Sequence, residues 1–186
     1  MVEKLAQGAE NFLATAPDVV AELAGEGFAR AVFLGSNSLF GAAWEGHLKV
    51  QEMTSGQVIC KAESMLGLRH GPMAVIHDDT LVVYFLSSDP YVLKYDLDLM
   101  REVKAKGIGH KTVAICQKAT PQIEELADVV LESNTQLPDD VLPPMFILPA
   151  QLLALFKSLA FGLRPDAPSA GGVINRVVQG VQIYPY

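Results

Sequence analysis

Residues 80–86 read Thr-Leu-Val-Val-Tyr-Phe-Leu, a run with no polar alternation. A strand with one face in water alternates apolar and polar side chains, whereas a strand apolar at every position is buried on both faces. Sheets covered on both faces are built from parallel strands, because a parallel neighbour is reached only by a crossover that lies over the sheet. One short run therefore directs the chain to the α/β class.

The rest of the sequence supplies the alternation such a sheet needs. Residues 1–27 read as helix, with Leu5, Ala9, Phe12, Leu13, Val19, Val20 and Leu23 recurring at three and four, and Pro17 is expected to open a second helical piece. Further strands are expected at 30–34, 57–62, 112–116 and 129–131. Helices are expected from the Gly35 turn to Ser55-Gly56 and at 91–106, 121–127 and 146–163. The expected fold is a three-layer α/β/α sandwich on a five-stranded parallel sheet. With the flavodoxin-like order 2-1-3-4-5 and right-handed crossovers, the ligand crevice opens between the carboxyl ends of strands one and three. Those ends are Gly35 to Ser38 and Ser87 to Pro90, so two serine-bearing turns are expected to face each other. The expected organisation is an N-terminal helical segment at 1–27, a domain at 28–164 and a glycine- and proline-rich tail at 165–186.

A length of 186 residues with 50% apolar and 19% charged composition is enough for one domain with a full core. The net charge of −7 argues against a nucleic-acid or anionic-membrane binder, since no basic field draws in polyphosphate. Any phosphate site must be local. Cys60 and Cys116 lie in apolar strand-like runs without metal or disulfide spacing, and read as buried thiols in a reducing compartment. His47, His70, His77 and His110 lack ligand spacing, so neither a metal nor another cofactor is expected. No run reaches the roughly 18 apolar residues of a membrane span, and the N-terminus lacks a signal-peptide pattern. A cytoplasmic protein is expected.

The stretch from Gly35 to Glu52 holds the most chemistry. Gly35-Ser36-Asn37-Ser38 follows an apolar strand and precedes a helix, the arrangement that seats phosphate groups. On that helix Glu45, Lys49 and Glu52 fall within about 60° of one another, with Phe40, Ala43 and Val50 opposite. By spacing alone the charged trio is a solvated surface worth about 0.5 kcal/mol or less per pair. Ser87-Ser88-Asp89-Pro90 reads equally as an N-cap cluster, His70 as a loop residue beside Pro72, and Trp44 and Phe40 as core.

Taken together these pieces resemble one family. Trp44-Glu45-Gly46-His47-Leu48-Lys49-Val50-Gln51-Glu52, followed by Arg69-His70-Gly71-Pro72-Met73-Ala74, is similar to the EGALKLKE…KHGPLA signature of sugar isomerase (SIS) domains. The isomerase half of glucosamine-6-phosphate synthase carries that signature. The resemblance is closer to the ketose/aldose isomerases of tagatose 6-phosphate and galactosamine 6-phosphate, through Phe33-Leu34-Gly35-Ser36, Ser87-Ser88-Asp89-Pro90-Tyr91, Tyr95-Asp96-Leu97-Asp98-Leu99 and Asn175-Arg176-Val177-Val178-Gln179-Gly180-Val181.

The resemblance implies an aldose/ketose isomerase or amino-sugar-phosphate deaminase acting on a phosphorylated hexose or amino hexose. Glu52 matches the carboxylate that shuttles a proton between C1 and C2, Glu45 and Lys49 its companions, and His70 the ring-opening histidine that serves a neighbouring subunit. Gly35, Ser36, Ser38, Ser87 and Ser88 would line the crevice, and Asn175 and Arg176 would bind substrate from the tail. A 1,2-proton transfer needs one reversible base and a cation for the developing oxyanion. Two acids sharing one lysine can hold a base near neutrality.

Gln179 stands where the synthase has an imine-forming lysine, which excludes Schiff-base catalysis there. Family enzymes of this kind carry two such domains in tandem, with the phosphate-gripping serine/threonine loop in the first, and this chain resembles the second. A homodimer or a second SIS domain is therefore expected as partner, with the phosphate site incomplete without it. The alternative is a non-catalytic sugar-phosphate-binding or dimerisation module; a nucleotide-binding domain is disfavoured because neither GxGxxG nor GxxxxGK[ST] is present.

Overall fold

Strands form where the apolar runs predict: β1 (Arg30–Gly35), β2 (Ile59–Glu63), β3 (Thr80–Phe85), β4 (Lys111–Cys116) and β5 (Val129–Glu132). In this computed structural model, which describes residues 1–167, 169, 171–172 and 180–185, they make one all-parallel sheet in the order β2-β1-β3-β4-β5. That is the expected winding. Every residue of β3 is buried, as its unbroken apolar run requires. The period of two divides the strand between two cores: Leu81, Val83 and Phe85 point to one, Val82, Tyr84 and Leu86 to the other.

The first core is roofed by α1 (Val2–Ala24), α2 (Leu39–Met53), α6 (Pro143–Phe146) and α7 (Leu148–Ala160). The second is roofed by α3 (Met65–Arg69), α4 (Pro90–Lys106) and α5 (Pro121–Leu126). The α3 turn forms inside what reads as a loop, because Ser64 caps it by accepting the Gly67 amide at 3.1 Å.

Two helix boundaries differ from expectation. Pro17 does not divide the N-terminal segment: α1 runs through it, held by a buried row of Gly8, Phe12, Ala16, Val20 and Leu23 packed on α7 and α6. Phe12 meets Phe146 edge-on at 6.0 Å. The last apolar helix is broken instead, into α6 and α7, because Pro149 has no N–H to return to the preceding turn. The 18 residues from Pro143 to Ala160 have a mean hydropathy of 1.3, so by length and composition they could cross a membrane, contrary to the sequence expectation. In this chain half of that stretch is buried, packed against α1 and α2.

Within it Lys157 is buried, donating to the carbonyls of Ala24 at 3.1 Å and Glu26 at 2.5 Å and lying 3.9 Å above the Phe28 ring. It thereby satisfies the last carbonyl of α1 and one just beyond the helix end. Burial holds its pKa below the ordinary lysine value, against the opposing pull of Glu26.

Cys60 is half-buried and Cys116 buried, both as free thiols. β1 and β3 stand between their strands, and three spacings of about 4.8 Å keep them out of disulfide reach. Burial pushes both thiols up to about 12.

Gly46 sets how closely α2 lies on the sheet. A Cβ there would stand 3.0 Å from the Phe33 ring and 3.2 Å from the Ala150 Cβ. Gly46→Leu is expected to lower stability by about 1–3 kcal/mol through overpacking, read as a shifted urea midpoint; an unchanged midpoint would show that α2 can lift freely.

Candidate active site

The two serine turns do meet, and a buried carboxylate joins them. After β1 the chain turns so tightly that a Cβ on Gly35 would lie 2.4 Å from the Leu39 carbonyl oxygen, and Asn37 takes a left-handed φ of 51°. Ser36 Oγ donates to Asp96 Oδ1 at 2.7 Å, and the Ser87 amide donates to Asp96 Oδ2 at 3.0 Å. Asp96 is fully buried on α4. Burial raises its pKa above the ordinary value, the Ser36 and Ser87 hydrogen bonds oppose that rise, and Asp139 adds to it. Ser38 begins α2 with its hydroxyl buried and without a hydrogen-bond partner among the described residues.

The remaining donors of Ser87 and Ser88 are taken by Asp139. Ser87 Oγ and Ser88 Oγ each donate to its carboxylate at 2.5 Å, and the Ser88 amide donates at 3.0 Å. Asp89 caps α4, accepting from the amides of Tyr91 and Val92 at 2.8 and 3.0 Å, with Pro90 in the first turn. The N-cap reading of this cluster therefore holds for Asp89, while Ser87 and Ser88 direct their donors to two carboxylates.

On α2 the charged trio comes together as its spacing requires. Lys49 Nζ lies 3.4 Å from Glu45 and 3.2 Å from Glu52. Both carboxylates are nearly half exposed, at 44% and 45%, so they remain open to anything that docks on this face. Partial burial would lower the Lys49 pKa, but the hydrogen bond and charge of Glu52, followed by those of Glu45, outweigh it and raise it. Lys49 is thus held as a cation between two acceptors.

Trp44 departs from its expected core position. It is 54% exposed, edge-on to His47 at 4.9 Å, because it stands beside Glu45 on the solvent side of the helix, while Ala43, Gly46 and Val50 take the buried side. Phe40 is half-buried against Trp44 at 6.2 Å.

His70 is not brought to the trio. It ends α3 on the opposite layer from α2, its amide bonded to the Leu66 carbonyl at 3.2 Å and its ring exposed. Among the described residues that ring makes no hydrogen bond. Asn175, Arg176 and Gln179 lie outside the described residues. No group of three or more His, Cys, Asp or Glu side chains among the described residues is placed to hold a metal ion.

With this geometry in view, the family model for the SIS domain matches residues 26–158. The chain belongs to the SIS domain family. D-galactosamine-6-phosphate deaminase AgaS of Escherichia coli is 41% identical over 157 residues, covering 84% of this chain and 41% of the relative. A Clostridium novyi NT crystal structure, with proposed tagatose-6-phosphate ketose/aldose isomerase activity, superposes with a TM-score of 0.94 at 36% identity, over 100% of this chain and 48% of that one. The C-terminal domain of glucosamine-fructose-6-phosphate aminotransferase from Francisella tularensis superposes with a TM-score of 0.67 at 25% identity, over 85% and 42%. This SIS chain therefore spans less than half the length of each.

Two carboxylates that bond the serine turns carry no assigned role in the sequence. Asp96 did leave a signal: Leu99, Met100 and Val103 follow it at three, four and seven, which puts an acid on the buried face of α4. An acid there needs partners. Asp139 left none, since its partners are 51 and 52 residues away in the chain.

Proposed function

We propose that this SIS domain is one half of a two-domain sugar-phosphate isomerase or amino-sugar-phosphate deaminase, acting by proton transfer between C1 and C2. The observation that carries this reading is the exposed Glu45–Lys49–Glu52 face, with one cation held between two carboxylates. Support comes also from the names of its relatives, a galactosamine-6-phosphate deaminase among them. Glu52 takes the proton from C2 of the open-chain sugar and returns it to C1. Lys49 stabilises the enediolate oxygen formed between the two transfers. In the deaminase reaction the same shift leaves an imine at C2, and water replaces its nitrogen, releasing ammonia and the ketose phosphate.

His70, on the layer opposite α2, serves the site of a neighbouring subunit, assisting ring opening. The partner is a second SIS domain or a second copy, and it brings the phosphate-binding loop. The catalytic body is the domain at 28–164, with the tail at 165–186 adding Asn175 and Arg176; the compartment is the cytoplasm.

A second reading, a sugar-phosphate-binding or dimerisation module without turnover, is favoured by the Ser87-Ser88 turn, whose hydroxyls and amides are spent on Asp96 and Asp139. The two readings separate in one assay. Isomerisation and ammonia release are measured with galactosamine, glucosamine and tagatose 6-phosphates, with and without an added N-terminal partner domain. Turnover that appears with the partner domain supports the enzyme; tight binding without turnover in either arm would favour the module.

A further inference from the structure

We propose that the outward side of α7 is an interface on which this chain seats a second copy of itself, α7 against α7 across a twofold axis. α7 is the middle helix of its layer, in contact with α1 on one side and α2 on the other. Leu153, Ala154 and Lys157 turn inward, which leaves Leu148, Gln151, Leu152, Leu155, Phe156 and Leu159 outward. A helix with one face in water carries polar side chains on that face. Here Gln151 is the only one.

Leu148, Leu152, Leu155 and Leu159 follow one another at four, three and four, and fall within about 60° around the helix. That is the spacing of a helix–helix seam. Packing within the chain does not use it up: Leu159 is 52% exposed, and Leu148 and Leu155, half-buried, are in neither core. Only half of the apolar stretch Pro143–Ala160 is buried.

Charge and size select the occupant. Each chain carries −7, so two copies meet most favourably where no charge stands, and the α7 stripe carries none. A stripe of like apolar residues is also complementary to itself, which a twofold interface requires. α7 is about 20 Å long, and with α1 and α2 about 10 Å to either side the layer offers on the order of 600 Å² in projection. A stable dimer buries a comparable area, about 800 Å² per partner. A lipid surface fits less well, because the outward side has no lysine or arginine for headgroups and Lys157 is buried.

The seated copy bears on the candidate site. On α2, Ala42, Gly46 and Lys49 lie within about 60° of one another, and a Cβ on Gly46 would stand 3.2 Å from the Ala150 Cβ of α7. Lys49 is therefore on the side of α2 next to α7, whereas Gln51 reaches the other way and accepts the Cys60 amide of β2 at 3.0 Å. A copy on α7 stands beside Lys49 and bounds the open face of the trio. This bearing on catalysis rests on the proposed function; the interface itself does not.

Sedimentation equilibrium of the full chain is expected to give a dimer at micromolar concentration. Leu155→Gln/Leu159→Gln is expected to weaken dimerisation roughly a hundredfold with an unchanged urea midpoint. Leu66→Gln, at a leucine 53% exposed on the opposite layer, should leave the dimer unchanged. Should the double variant unfold, Leu159→Gln alone is expected to weaken the dimer roughly tenfold. A monomeric wild type overturns the interface, as does a dimer that persists in the Leu159 variants or is lost in Leu66→Gln. A wild-type monomer that binds phosphatidylcholine vesicles, and loses that binding in the double variant, would overturn it in favour of a membrane. Turnover is not read, so a monomer would leave the proposed isomerase standing with a second SIS domain as its partner, and a dimer without turnover would leave the interface standing.

Discussion

Glu52→Gln in the complete two-domain enzyme is expected to abolish exchange of the C2 proton with solvent and to lower kcat by about 10²–10⁴-fold, the usual contribution of a general base. Glutamine keeps the size of the side chain and can still bond Lys49, so the helix face stays intact and KM should move little. The amide cannot take a proton from carbon. Lys49 would keep its ion pair with Glu45 at 3.4 Å, while losing the larger of the two carboxylate contributions that raise its pKa. Deuterium wash-in from deuterated water, at C1 of tagatose 6-phosphate and at C2 of the aldose formed from it, reads the step directly. Exchange at the wild-type rate in the variant would remove Glu52 from the role of base.

Asp96→Ala is the substitution with the largest expected effect on stability. It leaves the Ser36 hydroxyl and the Ser87 amide without their acceptor in the buried join between the β1 and β3 turns, at a cost of about 3 kcal/mol. Asp96→Asn is expected to behave differently. Its carbonyl can accept from the Ser87 amide while its NH₂ donates to Ser36 Oγ, so shape and bonding survive and only the charge is lost.

The pH dependence separates the two effects. Burial raises the folded-state pKa of Asp96 above the ordinary aspartate value, so the folded chain binds this proton more tightly than the unfolded chain does. Between those two pKa values stability from this group falls as pH rises, and at neutral pH its charge is a standing penalty. The advantage of Asp96→Asn over wild type should therefore be greatest at neutral pH and shrink on acidification to about pH 4. Urea unfolding at both pH values checks this, and an advantage that grows in acid would show the charged form to be the favoured one.

Legibility from sequence followed the range of the forces involved. The run at residues 80–86 was read correctly because burial on both faces leaves its mark on every position of one strand. The helix spacing of Glu45, Lys49 and Glu52 was equally local, and the trio stands together on α2. Pro17 was misread because the contacts that carry α1 past it come from α7, more than 100 residues along the chain. Trp44 was misread because an aromatic residue on an amphipathic helix is ordinarily buried, and its neighbour Glu45 gives the better guide to which side faces water.

By itself the sequence determined the α/β class, the strand runs, the helix face that carries the acids and the lysine, and the turn chemistry at Gly35 and Asp89. All of these depend on residues within a few positions of one another, where periodicity and backbone preference act. Only the tertiary structure decided that Asp96 joins the two serine turns, that Asp139 claims the hydroxyls of Ser87 and Ser88, that His70 and Glu52 stand on opposite layers, and that Gly8 lets α1 close on Thr135 and Met145. Those outcomes depend on which distant acceptor lies within reach of a donor and how closely two backbones can approach, and the crossovers over the sheet set both.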